Sequence, residues 1–121
     1  MLILPNRNPV NYALCNQTVT VYHRNGTEYT NTVYRNAFLD SRKNENVEKT
    51  GDSESNSFLL VIPCEAEIIS AGDKVVRGIG NPVSTAQEWA QLIPTLTPVC
   101  VVKYVDYKYW GNQIVHVEAG G

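Results

Sequence analysis

The chain has no excess of positive charge, no paired cysteines and no apolar stretch long enough to cross a bilayer, and each absence closes off a class of function. Ten Lys and Arg against twelve Asp and Glu leave a formal charge of −2 over 121 residues. Duplex binding draws most of its affinity from clustered Lys and Arg, so this balance argues against a surface built to neutralise many phosphates. The opening Met1-Leu2-Ile3-Leu4-Pro5 has neither a basic leader nor a long apolar core, so neither a secretion signal nor a membrane span is expected. The sequons Asn16-Gln17-Thr18 and Asn25-Gly26-Thr27 then read as turn chemistry. Cys15, Cys64 and Cys100 are odd in number and far apart, which predicts buried, reduced thiols.

Signatures of catalysis are also missing. There is no G-x-S-x-G, no Cys-x-x-Cys and no His-x-x-x-His. Gly78-Ile79-Gly80 lacks the third glycine of a dinucleotide loop and is interrupted by Asn81-Pro82. Lys49-Thr50-Gly51 lacks the glycine-rich stretch that would supply converging backbone N–H groups to a phosphate. His23 and His116 could meet Asp106 or a cysteine, but a cross-strand polar pair explains such a meeting without a dyad. No enzymatic activity, metal or cofactor is expected.

What is present is a single domain of short strands, with 43% hydrophobic residues, enough for its own core. Residues 1–17, with Pro5, Pro9 and four Asn, read as an extended arm, and Leu2, Ile3, Leu4, Pro5, Val10 and Tyr12 are its candidate contacts with a neighbouring subunit. Residues 18–40 read as a β-hairpin: TVTVYHR runs into Asn25-Gly26, and the return strand runs from Glu28 to about Leu39. Its apolar Tyr29, Val33, Ala37 and Leu39 share one parity, interrupted by Asn31 and Arg35, which predicts a partly exposed or bent strand.

Residues 41–56 contain one clearly apolar residue, Val47, among charges of both signs. No core can be built from such a segment, and a structureless connection of this length is usually functional or disordered. Arg42, Lys43, Glu45, Glu48, Lys49, Asp52 and Glu54 are therefore the candidate partner or channel residues. From residue 57 to 121 the remaining strands and one helix follow. SFLLVIP, residues 57–63, predicts a central strand buried on both sides. Ala71-Gly72-Asp73 predicts a turn, and Lys74 to Arg77 a short strand. Ser84 and Gln87 make a capping-box pattern for a helix over 84–93, whose Thr85, Trp89, Leu92 and Ile93 stripe packs on the sheet before Pro94 ends it.

The stretch from Val99 to Glu118 reads as a long two-stranded hairpin turning at Gly111-Asn112. A three-residue loop, Trp110-Gly111-Asn112, opposes Tyr107 to Val115, Val105 to Val117 and Asp106 to His116, keeping apolar with apolar, with Asn112 in the left-handed conformation. The fold class is mainly β: a small antiparallel barrel or sandwich with one short helix, a long polar loop and an extended arm. One alternative function follows from these residues alone. Lys103, Tyr104, Tyr107 and Lys108 would stack and neutralise single-stranded nucleic acid on a barrel wall. The parity of Tyr107 and Tyr109 with Val105 points both inward instead, favouring core or subunit interface.

The succession TVTVYHR, TVYRNAFLD, KTG, SFLLVIP, GDKVVRG and VDYKYWGNQIVHVEAGG resembles small structural proteins of tailed bacteriophages and prophages, of the head-completion or head–tail connector type. The similarity is one of pattern and order over most of residues 18–121. It implies a β-barrel that assembles with itself into a closed ring of six or twelve copies at the virion neck, made in the host cytoplasm. Its partners would be the portal-adaptor and tail-terminator proteins, with DNA held or passing in the channel without sequence-specific binding. A head-closure or stopper ring is the first expectation and a tail-terminator or tail-completion ring the second.

Overall fold

The computed structural model describes residues 9–43, 56–92 and 99–121. Strand β1 (Gln17–Asn25) turns through Gly26-Thr27 into β2 (Glu28–Lys43), with Asn25 opposite Glu28. Gly26 sits at φ 66°, so a glycine takes the first central position of the two-residue loop, which only a residue without Cβ occupies cheaply. Strand β3 (Asn56–Pro63) pairs with the second half of β2, and β4 (Lys74–Arg77) returns to the free side of β1. After helix α1 (Ala86–Ala90) come β5 (Val99–Val101), β6 (Tyr104–Trp110) and β7 (Gln113–Gly120).

All seven strands form one antiparallel sheet in the order β5-β4-β1-β2-β3-β7-β6. The two edges, β5 and β6, are consecutive in the chain and are joined by Val102 and Lys103 alone. The three Cα–Cα steps from Val101 to Tyr104 span at most about 11 Å when extended. The sheet must therefore curl until its edges nearly meet, and the result is a half-barrel.

The curl is made in β2. Gln17 faces Ala37 but Val19 faces Tyr34, so two residues of β2, Arg35 and Asn36, oppose the single Thr18. This β-bulge bends the strand and switches its parity: Tyr34 packs toward the core before it, Ala37 and Leu39 after it. The single parity expected from Tyr29 to Leu39 is thereby corrected. Tyr29 and Asn31 belong to the outer face, while Ala37 and Leu39 are inside.

Inside the half-barrel lie Val19, Val21, Ala37, Leu39, Leu60, Ile62, Val75, Val117 and Ala119, all buried. The segment after β3 fills the concave side with Ile68 and Ile69. The Tyr107 hydroxyl fixes it by accepting from both of their amides and donating to the Ile69 carbonyl, each at 2.8 Å.

A second layer covers β1 from outside, where Gly78 to Val83 crosses Thr20 and Tyr22. Thr20 Oγ1 donates to the Gly78 carbonyl and accepts from Gly80 N, and the Tyr22 hydroxyl donates to the Asn81 carbonyl at 2.8 Å. Residues 19–22 of β1 are consequently buried on both faces. The two-sided burial expected for residues 57–63 is corrected: Phe58, Leu60 and Ile62 are buried, but Leu59 is exposed and Val61 half-buried, so β3 has one core face.

The helix is shorter than its sequence pattern. Thr85 is the N-cap, accepting from Glu88 N at 3.1 Å, so the box is Thr85 with Glu88 rather than Ser84 with Gln87. Glu88 reaches back to the amide and hydroxyl of Ser84. At the other end, Lys74 donates to the carbonyls of Trp89 and Leu92 and sits 4.8 Å over the Trp89 ring, which also meets Tyr29. Burial lowers the Lys74 pKa, and the two carbonyls are the polar partners that its amine reaches there. Ile93, the last residue of the expected stripe, lies outside the described residues.

The C-terminal hairpin begins at Tyr104, because Val99–Val101 is a separate strand paired with β4. Its loop is two residues long. Trp110 faces Gln113, and Gly111 rather than Asn112 takes the positive φ, at 65°. Tyr109 faces Ile114 but Lys108 faces His116, so Val115 is an extra residue that restores the parity the short loop would have broken. Apolar residues still face apolar ones, with Tyr107 opposite Val117 and Val105 opposite Ala119. The expected pairs of Tyr107 with Val115, Val105 with Val117 and Asp106 with His116 are displaced by two residues. Asp106 faces Glu118 instead.

Candidate functional site

One face of the molecule concentrates what the core does not use: the outer side of β3, β7 and β6, the arm laid across it, and the open edge of β6. The arm crosses on Tyr12. Glu118 Oε2 lies 3.0 Å from His116 Nε2, and a carboxylate only accepts, so Nε2 carries the proton. The Tyr12 hydroxyl lies 2.8 Å from His116 Nδ1 and 3.4 Å from the Val115 carbonyl, and the two rings meet edge to face at 5.4 Å. His116 is 7% exposed, so this bond is largely removed from water and holds the arm to its own subunit.

Two open hollows flank Tyr12. One, of about 330 Å³, is lined by Val10, Leu14, Phe38 and Val61, and the other, of about 780 Å³, by Pro63, Trp110 and Ile114. Val10 and Leu14 are exposed along this path, at 45% and 72%. The face thus offers apolar side chains in concave surroundings beside a strand that pairs on one side only among the described residues.

Strand β6 is the edge. It pairs with β7 on one side, and its other side carries no backbone partner among the described residues. Tyr104, Tyr109 and Trp110 are exposed at 51%, 58% and 40%, although large aromatics usually bury most of their area. Between them Lys108 Nζ lies 2.8 Å from Asp106 Oδ2, and that contact raises the lysine pKa.

The residues singled out by sequence fall in four places. Arg42 and Lys43 are the end of β2, and Lys43 faces Asn56, so the ends of the expected loop over 41–56 are strand rather than loop. Glu45, Glu48, Lys49, Asp52 and Glu54 lie outside the described residues, as do Leu2, Ile3, Leu4 and Pro5. Val10 and Tyr12 lie on the outer face just described. The set Lys103, Tyr104, Tyr107 and Lys108 does not converge. Tyr107 points inward and its hydroxyl is held at Ile68 and Ile69, while Lys108 points outward to Asp106. The Tyr104 ring lies against Gly120, where an added Cβ would come 2.6 Å from two of its carbons.

The remaining titratable groups are held in separate structural bonds. His23 Nδ1 lies 2.6 Å from Asp73 Oδ1, and the other oxygen of this buried carboxylate accepts from Ser70 N. His23 and His116 thus have different carboxylate partners, and neither is Asp106. Burial pushes the thiols of Cys15, Cys64 and Cys100 up, the direction of unreactive cysteine. No group of three or more His, Cys, Asp or Glu that could hold a metal occurs among the described residues. Sequence reasoning missed Asp73, which it read as part of a turn, and the inward direction it gave Tyr109 is corrected: Tyr109 and Trp110 are both exposed. Their position at the end of an edge strand was the available signal.

The comparison with known families gives one match, a family of unknown function (DUF6751), over residues 14–121, and the chain belongs to it. No curated protein and no solved structure gives a match.

Proposed function

We propose that this member of the family is a non-enzymatic subunit of the tailed-bacteriophage virion: a neck protein forming a closed ring of six or twelve copies between the portal-adaptor and the tail. The observation that carries the reading is the β2–β3 hairpin on a rigid half-barrel. Its ladder stays in register to Lys43 opposite Asn56, and the sequence between those two residues carries four acids and one lysine. A stopper ring needs that combination of a stiff wall and a polar segment. The order of sequence motifs along residues 18–121 supports the same class.

The charge of that segment suits contact with a neighbouring ring or with DNA in transit. A strongly basic segment would hold DNA, because each phosphate contact adds affinity. A net acidic one lets it pass. The exposed Val10 and Leu14 on the outer face support a lateral or axial partner rather than solvent as their surroundings.

Electron microscopy of purified particles, with an antibody or gold tag on the C-terminus, tests the reading. A ring at the neck is the expected result, and its position separates a stopper between portal-adaptor and tail from a terminator at the head of the tail tube. Absence from particles would sink the proposal. Deleting residues 44–54 should leave a folded subunit and give particles that leak DNA or fail to join tails; loss of folding would count against a polar segment separate from the core.

A further inference from the structure

We propose that the free subunit forms a two-fold pair in which β6 of one copy joins, antiparallel, β6 of a second. Strand β6 is seven residues long and unpaired on one side among the described residues, and it has no proline or glycine. The bulge of its hairpin lies on β7, leaving β6 itself regular. Such an edge presents alternate N–H and C=O groups ready for another strand.

The sequence of the edge, Tyr104-Val105-Asp106-Tyr107-Lys108-Tyr109-Trp110, is complementary to itself when reversed. Centred on Tyr107, an antiparallel pair puts Asp106 opposite the second copy's Lys108 and Lys108 opposite its Asp106. On the same outer face Tyr104 meets Trp110, and on the inner face Val105 meets Tyr109. Sliding the register by two residues either way places Asp106 against itself or Lys108 against itself. Sliding by one sets outer residues against inner ones, which the pleat forbids. One register satisfies every position.

The free subunit also lacks something that this register supplies. Asp106 faces Glu118 across the β6–β7 ladder, a like-charge pair, and Lys108 serves as its nearby cation from the same strand. A second lysine opposite Asp106 on its open side completes an alternating cluster of two Asp106 and two Lys108. Because the contact is isologous it closes after two copies, whereas a ring needs head-to-tail contacts elsewhere. The pairing therefore does not rest on the neck reading.

Sedimentation equilibrium of the full chain at low salt tests it, using wild type, Asp106→Lys, Lys108→Asp and their equimolar mixture. Both side chains are about half exposed, so the variants should keep the wild-type circular dichroism. Wild type should show a concentration-dependent dimer. Each single reversal sets two like-charge pairs across the two-fold axis and should weaken the dimer about tenfold or more. The mixture should recover it, because the first variant carries lysine at both positions and the second aspartate. Should one single variant fail to fold, the double exchange Asp106→Lys with Lys108→Asp restores complementarity and should dimerise as wild type does. A wild type that stays monomeric, single reversals that associate as wild type does, or a mixture that stays monomeric would each overturn the pairing. Rings at the neck could still be seen after any of those results.

Discussion

Replacing Gly80 by alanine tests whether the outer layer over β1 is packed as tightly as the inner core. A Cβ built at Gly80 collides with the Tyr22 hydroxyl and comes 2.8 Å from Val76 Cγ2 and 3.1 Å from Tyr22 Cζ. Tyr22 is 1% exposed and its hydroxyl is bonded to the Asn81 carbonyl, so the ring has no free direction in which to move. Overpacking of this kind costs about 1–3 kcal/mol, and loss of the Tyr22 bond about 1 more. Gly80→Ala should therefore destabilise by about 2–4 kcal/mol, lowering Tm by roughly 10 °C in a domain of this size. Tyr22→Phe alone should cost about 1 kcal/mol. It also removes the atom in closest conflict, so Gly80→Ala should cost about 1 kcal/mol less in the Tyr22→Phe background. Gly120→Ala is the control: its conflict is with the half-exposed Tyr104 ring, which can swing into solvent, and the change should cost less than about 1 kcal/mol. Urea denaturation of the four single and double variants measures all of this. A Gly80→Ala protein as stable as wild type, or a strictly additive double variant, would refute the account.

Three further outcomes follow from the local chemistry. The bonds from Ser84 and Thr85 hold the Glu88 pKa below its ordinary value, so the carboxylate's support of α1 is present above the ordinary glutamate range. It should be lost as pH falls through the lowered folded value; an NMR titration that puts the Glu88 midpoint at or above the ordinary glutamate value would contradict this. Burial raises all three thiols, and Cys100 is the most enclosed, so labelling by a disulfide reagent should be slowest at Cys100 and become rapid at all three in denaturant; rapid native labelling at Cys100 would refute it. Tyr12→Phe removes the bond to His116 at a cost of about 1 kcal/mol. Hydrogen exchange at the Cys15 amide, which donates to the Tyr12 carbonyl, should then accelerate, and unchanged exchange would show the arm to be held by other contacts.

The strands were legible where alternation and turn residues agree: Lys74–Arg77, the turn after Asn25, and the hairpin at Gly111 all stand where the sequence puts them. Parity was legible only piecewise. Neither Arg35-Asn36 nor Val115 carries a glycine or proline to announce a bulge, yet each bulge reverses which side chains face inward. Two-sided burial was assigned to residues 57–63 because the run is apolar, while the strand truly covered on both faces is β1, with Thr20 among its buried residues. Its cover is a loop from 58 residues away, a partner no local pattern reveals. At the candidate site, the inward direction of Tyr107 followed from its parity with Val105. Tyr109 shares that parity and is exposed all the same, because the strand outruns the core at its turn.

The strand order has a consequence during synthesis. Strand β3, which carries the apolar run Phe58–Ile62, lies between β2 and β7, and β7 is made after the other six strands described. Until then one edge of Ser57-Phe58-Leu59-Leu60-Val61-Ile62 has no partner, which is the condition that recruits other chains into β aggregates. Nascent or C-terminally shortened chains should accordingly be insoluble even though all six preceding strands are complete, and solubility should appear within the final residues of β7.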